Sequence, residues 1–248
     1  MAQFDGKTVI VTGSGSGIGR ATAIMFAARG ANVVVSDIDE AKCRETMGMI
    51  AGSAQYKVCD VADAAQVEAL VGFAGAQFGG LHAMINNAGI TGAQMPTTEL
   101  PVEEWNYVLA VNLSGTFYGM KYAIPAILAS GGGAIVNLSS ILGQVGFGNL
   151  PAYVATKHGI IGITRTAAIE YSGQGVRVNA VGPGFIETPF SQAAIDDPNL
   201  REILIGMHPI GRVGQPEEVA ELITWLCSDA ASFCTGGYYP VDGGYLDN

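Results

Sequence analysis

The sequence predicts an α/β protein built on a doubly wound, seven-stranded parallel sheet with helices on both faces. Three observations predict it. Short β-branched or apolar runs alternate with helix-spaced segments along the whole 248-residue chain. Hydrophobic residues make up 49% and charged residues only 14%, enough apolar surface to cover both faces of such a sheet. No Pro/Ser-rich linker, internal repeat or break in composition divides residues 1–248, so they read as a single domain.

The first strand is expected at 9–11, followed by a glycine-rich turn and a helix over 19–29 that Gly30 closes. The triple valine at 33–35 gives the second strand and 39–51 the second helix. A strand at 56–59, a helix over 64–77 and a strand at 83–85 repeat the unit. Residues 102–128 carry helical spacing over a length that suits two helices or one bent one. A strand at 135–138, a helix over 153–171, a strand at 176–181, a helix over 216–228 and a last strand at 238–241 complete the order. Strands separated by helices cannot pair as hairpins, so the sheet is parallel. The segment 182–215 stands apart, with Pro183, Pro189, Pro198 and Pro209 among scattered apolar side chains. A segment this long is either a binding lid or a surface excursion, and composition weighs the two equally.

Twelve Lys and Arg against 22 Asp and Glu leave a net charge of −10. That field and the lack of a basic run exclude nucleic acid and anionic membrane surfaces as expected partners. Cys43, Cys59, Cys227 and Cys234 form no CxxC pair and no metal-ligand spacing, so no metal is expected and the thiols read as buried or incidental. A reducing, cytoplasmic setting fits, and neither a signal segment nor an 18-residue apolar run is present.

Glycine, 35 residues, is the compositional outlier, and its densest cluster has a physical reading. The strand at 8–12 runs into Gly13-Ser14-Gly15-Ser16-Gly17-Ile18-Gly19 and then a helix. Such a turn lets backbone approach a pyrophosphate and aims helix N–H groups at it. Asp37, 18 residues after Gly19 at the end of the second strand, is placed to accept hydrogen bonds from ribose hydroxyls. Its carboxylate would repel a 2′-phosphate, and neither Ser14, Ser16 nor Ile38 supplies a countering cation. The cofactor predicted is NAD(H).

At this point the sequence resembles the short-chain dehydrogenase/reductase family over its whole length. The motifs occur in order: TGSGSGIG at 12–19, Asp60-Val61, NNAG at 86–89, VNLSG with Asn112, IVNLSS at 135–140, YVATK at 153–157, and Pro183-Gly184 with Thr188. The resemblance implies a single-domain Rossmann fold and the catalytic residues Ser140, Tyr153, Lys157 and Asn112. It implies cofactor contacts from Gly13, Ser16, Gly17, Ile18 and Gly19 at the turn and from Asp37 at the ribose. Asp60 and Val61 would hold the adenine, with Asn86, Asn87, Ala88 and Gly89 lining the adenosine-ribose side. Tyr153, Lys157, Pro183, Gly184, Ile186 and Thr188 would hold the nicotinamide end.

The chemistry of this set is reasonable in itself. A phenol with an ordinary pKa near ~10 is a poor base at neutral pH, so an ammonium nearby is expected to favour its phenolate. Lys157 follows Tyr153 by one helical turn and projects on the same face. Ser140 is preferred to Ser139 because it lies 13 residues before Tyr153, the separation usual in the family, and alternation points the two serines to opposite faces. Its hydroxyl would stabilise charge on the substrate oxygen. By resemblance, Asn112 holds a helix kink and a water that relays the proton from Lys157. His158 reads as structural.

By analogy the substrate lies between Ser140 and Tyr153 on one side and the 182–215 segment on the other. Expected walls are Ile141, Leu142, Gln144, Phe147, Leu150, Gly184, Phe185, Phe190 and Met207, with Gln94 and Met95. That set carries no cation, provided Arg201 and Arg212 point outward, so an uncharged, hydrophobic secondary alcohol or its ketone is expected, aryl and cyclic compounds included. A 3-oxoacyl-[acyl-carrier-protein] reductase shares the motifs, but usually takes NADPH and docks an acidic carrier; Asp37 and the net charge argue against both. A non-catalytic NAD-binding scaffold or sensor would not need Ser140, Tyr153 and Lys157 together. Small and apolar residues Ala155, Gly159, Ile163 and Ala167, with the 245–248 end, suggest by family analogy a homotetramer.

Overall fold

All seven strands pair in parallel. The computed structural model describes residues 3–247, with backbone alone at Ala193 and Ala194. The strands are β1 (Thr8–Thr12), β2 (Asn32–Asp37), β3 (Ala54–Val58), β4 (Ala83–Asn86), β5 (Gly133–Leu138), β6 (Val176–Pro183) and β7 (Tyr238–Val241). Their order is β3-β2-β1-β4-β5-β6-β7, so the winding reverses between β1 and β4. There Val9 pairs with Val33 on one side and Ala83 on the other. β1 and β4 are buried throughout, which is why they read as unbroken apolar runs and not as alternating ones.

Alternation instead sorts side chains between two cores. Ile10, Val34, Met84, Ile135 and Val178 face helices α3 (Ala64–Phe78), α5 (Gly115–Ala129) and α6 (Pro151–Tyr171), meeting Leu70, Met120, Ile127 and Ala167. Val9, Val11, Val33, Val35, Ile85 and Val136 face α1 (Gly17–Ala28), α2 (Glu40–Gly48) and α9 (Pro216–Cys227), meeting Phe26, Cys43, Val219 and Ile223. Each fully buried side chain of this size contributes about 1.5–3 kcal/mol, so a one-residue slip of any central strand would cost many such terms at once. Helix starts follow local chemistry: Asp39 accepts the Ala41 and Lys42 N–H groups at α2, Asp63 those of Ala65 and Gln66 at α3, and Pro151 opens α6.

The 102–128 stretch is one bent helical run. α4 (Val102–Val108) passes into a π-helical turn at Leu109–Ser114 and on into α5 with helical dihedrals throughout. The 182–215 segment is more regular than its prolines suggest. It holds α7 (Gln192–Asp196) and α8 (Pro198–Gly206), the latter capped by Asp197, and Ile186 bridges to Gly214. Ile195 and Leu204 turn inward while Ile203 stays exposed.

The proposed subunit stripe on α6 needs correction. Ala167 belongs to the core, Ile163 packs against that core, and Gly159 abuts Leu113; only Ala155 is exposed. Large apolar side chains left in the open include Phe117, Ile169 and Phe233, the last two the most exposed. Burial pushes the Cys43 thiol up to about 11 and Cys59 up to about 12, which keeps both protonated. Among the described residues no group of three or more His, Cys, Asp and Glu could hold a metal ion, and no helix is long and apolar enough to cross a membrane.

Candidate active site

The crevice opens where β1 and β4 part, at the carboxyl ends of the strands. Thr12 ends β1 and ties the two sides together. Its Oγ1 donates to the Ile85 carbonyl at 3.2 Å and accepts from the N–H groups of Asn87 and Ala88 at 3.1 and 3.2 Å. Asn87 replies through Nδ2, donating to the carbonyls of Thr12 and Gly13. Gly13 has φ +62°, and a Cβ there would stand 2.8 Å from the Ala88 Cα. A Cβ on Gly19 would overlap the Gly13 carbonyl, so Gly19 lets α1 pack beneath the turn and does not itself line the cavity. Ser16 forms no side-chain cap and the first turn of α1 has no acidic residue, which leaves its N–H groups free beside the cavity.

The cavity has a volume of about 570 Å³ and joins this turn to the predicted chemical residues. Gly13, Ser16, Gly17, Ile18, Asp37, Asp60, Val61, Asn87, Ala88 and Gly89 line one end; Asn86 is buried below, donating to Asn137. Asp37 accepts the Gly15 N–H at 3.0 Å and the Asp39 N–H at 3.1 Å, while Asp39 is the residue that caps α2. Asp60 accepts the Ala62 N–H at 2.9 Å. Close glycine backbone, an uncapped helix start and a carboxylate at the end of β2 suit a dinucleotide. Lys42, absent from the sequence-based set, stands at the same rim: a Cβ on Gly15 would meet Asp37 Oδ2 and Lys42 Cβ, each at 2.7 Å.

At the other end Ser140, Tyr153, Lys157, Pro183, Gly184, Ile186 and Thr188 come together. Ser140 follows β5, and its Oγ accepts the Leu142 N–H at 3.2 Å. Tyr153 is half-buried; dehydration pushes its phenol up to about 12, against a smaller downward pull from the Ser140 hydroxyl. Lys157 is buried, which lowers its amine to about 8, and its Nζ donates to the Leu138 carbonyl at 2.8 Å. Burial thus disfavours the Tyr153 phenolate, while an amine near 8 remains largely protonated at neutral pH beside it. Asn112 sits in the π-helical turn, donating to the Ile90 carbonyl and accepting the Ile90 N–H, each at 2.8 Å. It reaches Thr156 Oγ1 at 3.3 Å, so it fixes the 90s loop against α6 without touching Lys157 directly. His158 is exposed and its Nδ1 bonds the Val154 carbonyl.

Leu142, Phe147, Leu150, Phe185 and Phe190 line the cavity as expected, with Ile141 and Gln94. Gln144 does not: it is exposed because the turn after Ile141–Gly143 carries it outward. Met207 is half-buried just past the end of α8, and Met95 is likewise outside the wall; Leu200 and Leu204, on the inner side of α8, take that place. Thr91, Tyr107 and Val111 are additional lining residues. Tyr107 and Val111 lie within six residues of Asn112 on the same helical run, the one sequence signal that could have marked them. Arg212 turns away to pair with Glu218 at 2.6 Å, and Arg201 borders a separate groove beside Pro198. Lys157 is the one cation among the described lining residues.

A parallel sheet with a glycine turn at its switch point and a Ser, Tyr and Lys gathered beyond β5 defines a class of dinucleotide-dependent oxidoreductases. The chain belongs to the short-chain dehydrogenase/reductase family, and the family model described as Enoyl-(Acyl carrier protein) reductase matches residues 13–246. It is 46% identical over 246 residues to cyclohexanol dehydrogenase of Acinetobacter sp., covering 98% of this chain and 96% of that one. It is 45% identical to 2,5-dichloro-2,5-cyclohexadiene-1,4-diol dehydrogenase of Sphingobium indicum, covering 99% of each. The crystal structure of levodione reductase superimposes with a TM-score of 0.94 at 36% identity, covering 98% of this chain and 99% of that one.

Proposed function

We propose that the protein is an NAD(H)-dependent dehydrogenase that interconverts uncharged cyclic secondary alcohols and their ketones. The observation that carries this reading is the polarity of the cavity. Its substrate end is apolar and aromatic around Ser140 and Tyr153, with no cation other than Lys157 to bind a carboxylate or phosphate. The names of the two relatives, both dehydrogenases of six-membered-ring alcohols, support a ring in that space.

Gly13, Ser16, Gly17 and Ile18 would hold the pyrophosphate, Asp37 the adenosine ribose, and Asp60 and Val61 the adenine. Asn87, Ala88 and Gly89 would line the ribose side; Tyr153, Lys157, Pro183, Gly184, Ile186 and Thr188 would hold the nicotinamide end. When bound, the dinucleotide supplies a hydride acceptor and positive charge beside the phenol. Ser140 then donates a hydrogen bond to the substrate oxygen, and Tyr153 takes its proton as the C–H bond is broken. Lys157 orients the cofactor ribose and lends charge to Tyr153, and Asn112 keeps the loop and helix that flank them in register. Phe185 and Phe190 would pack against the apolar body of the substrate. The assembly proposed is a homotetramer in the cytoplasm.

The test is kcat/KM with NAD and NADP for cyclohexanol, ring-substituted cyclohexanols, linear alcohols and a 3-oxoacyl thioester. A preference for NAD and cyclic alcohols is expected. Parity with NADP would overturn the cofactor assignment, and a preference for the thioester would overturn the substrate class.

A further inference from the structure

Tyr238 opens β7, in register with Ala180 of β6. Two residues further along β6, Gly182 leaves a gap that the Tyr238 ring fills: a Cβ on Gly182 would overlap the phenol oxygen and the ring carbons beside it. The side chain thus passes over β6 and reaches the segment that follows β5, where its hydroxyl donates to the Ser140 carbonyl at 2.9 Å. That carbonyl also accepts the Gly143 N–H at 2.9 Å from within its own turn. Burial, with the Asp242 carboxylate nearby, holds the Tyr238 phenol above its ordinary range, so it remains a donor.

The segment carrying Ser140 is otherwise tied mainly from the opposite side. Lys157 Nζ donates to the Leu138 carbonyl at 2.8 Å, and Ser139 Oγ donates to the Lys157 carbonyl at 2.8 Å. Both bonds join the segment to α6, and the Ser139 N–H donates one to the Val181 carbonyl of β6. From β7, the described side-chain hydrogen bond to the Ser140 peptide is that of Tyr238. We infer that Tyr238 is a positioning residue for Ser140: its hydroxyl, reaching over Gly182, fixes the Ser140 peptide and so the direction from which Ser140 Oγ meets the substrate oxygen and Tyr153. This rests on the dehydrogenase reading, in which Ser140 acts on that oxygen. Small displacements at a reacting centre are costly, a shift of about 1 Å reaching ~100-fold in rate.

Tyr238→Phe keeps the ring in the Gly182 gap and removes the donor. It should lower kcat for cyclohexanol by roughly 10-fold, leave KM for NAD and the melting temperature unchanged, and move the acid limb of the oxidation pH profile upward, because a displaced Ser140 no longer pulls the Tyr153 pKa down. The 13Cζ resonance of Tyr153, assigned by its loss in Tyr153→Phe, should shift as well. In a Ser140→Ala background, Tyr238→Phe should change none of these. An unchanged kcat and Tyr153 resonance in Tyr238→Phe, or equal losses with and without Ser140, would overturn the inference. If the wild-type protein turns over no alcohol or ketone, the functional reading fails, and the Tyr153 resonance decides alone: a Ser140-dependent shift supports the role of Tyr238, and no shift overturns it.

Discussion

Lys157 Nζ lies 5.3 Å from the centre of the Tyr153 ring while its hydrogen bond goes to the Leu138 carbonyl. The amine is held close to the phenol by main chain and not by an acidic partner. Burial lowers it to about 8, below its ordinary value of 10.5. Between those values the folded protein binds fewer protons than the unfolded chain, so this group makes stability rise with pH from about 8 to 10.5; below 8 the folded state carries the full cost of charging it. Lys157→Met should therefore raise the melting temperature of the cofactor-free protein at pH 7 by about 2–4 °C, on the order of 1 kcal/mol, while ending turnover. The gain should shrink as the pH passes 9. Calorimetry at several pH values checks it, and a lower melting temperature at pH 7 would contradict it.

Tyr153→Phe removes the proton acceptor and leaves the ring beside Phe190, whose centroid is 6.4 Å away. Turnover should fall by about 10³-fold or more, the scale of general acid–base catalysis combined with orientation. NADH affinity, measured by fluorescence, should stay within about twofold, since the glycine turn and Asp37 are untouched. Substantial residual turnover would sink the assignment of Tyr153.

At the far end of the cavity, Asp37 holds the Gly15 N–H, and Lys42 packs at the same rim with its Nζ 3.9 Å from Asp39. Asp37→Ser should raise kcat/KM for NADP by about 10-fold or more and lower it for NAD, because removing one carboxylate leaves Lys42 able to meet a 2′-phosphate. Adding Lys42→Ala should cancel the NADP gain. Preserved NAD selectivity in Asp37→Ser would remove Asp37 from its proposed role.

The sheet was legible because its strands are short, apolar and punctuated by Gly and Asn, and because helix-spaced segments separate them. The grouping of Ser140, Tyr153 and Lys157 at one end of the cavity was legible through the family resemblance, helped by the one-turn spacing of Tyr153 and Lys157 on α6 and by the place of Ser140 just past β5. The size of the burial effect was not: spacing pairs an amine with a phenol but cannot show that burial lowers the amine to about 8 and raises the phenol to about 12. Nor could spacing show that Gln144 swings outward, or that α8 offers Leu200 and Leu204 in place of Met207. Those depend on how separate elements meet, and Lys42 reaches the rim only through the fold of β2 against the glycine turn.

Phe233 is fully exposed and Ile169 is 86% exposed, so each would gain from burial in the proposed subunit contact. Light scattering should give a mass near four times the 25.6 kDa of one chain. Phe233→Glu combined with Ile169→Glu should lower that mass without unfolding the monomer, since neither side chain contributes to the core; a monomeric wild-type protein would refute the tetramer.

Phe190 separates substrate binding from chemistry. It projects from the segment before α7, stays 56% exposed, and stands against Tyr153, so the fold gains little from it. A ring-shaped substrate on Tyr153 would cover the exposed half of the Phe190 side chain, roughly 100 Å² of apolar surface, worth about 2 kcal/mol. That contact is present in substrate and transition state alike, so its loss should appear in KM and not in kcat. Phe190→Ala is therefore expected to raise KM for cyclohexanol by about 10- to 30-fold with kcat and melting temperature nearly unchanged. For propan-2-ol, too small to cover Phe190, KM should move by less than about threefold. Equal effects on both alcohols would mean that Phe190 orders the α7–α8 segment as a whole, and the ring-recognition role would fall.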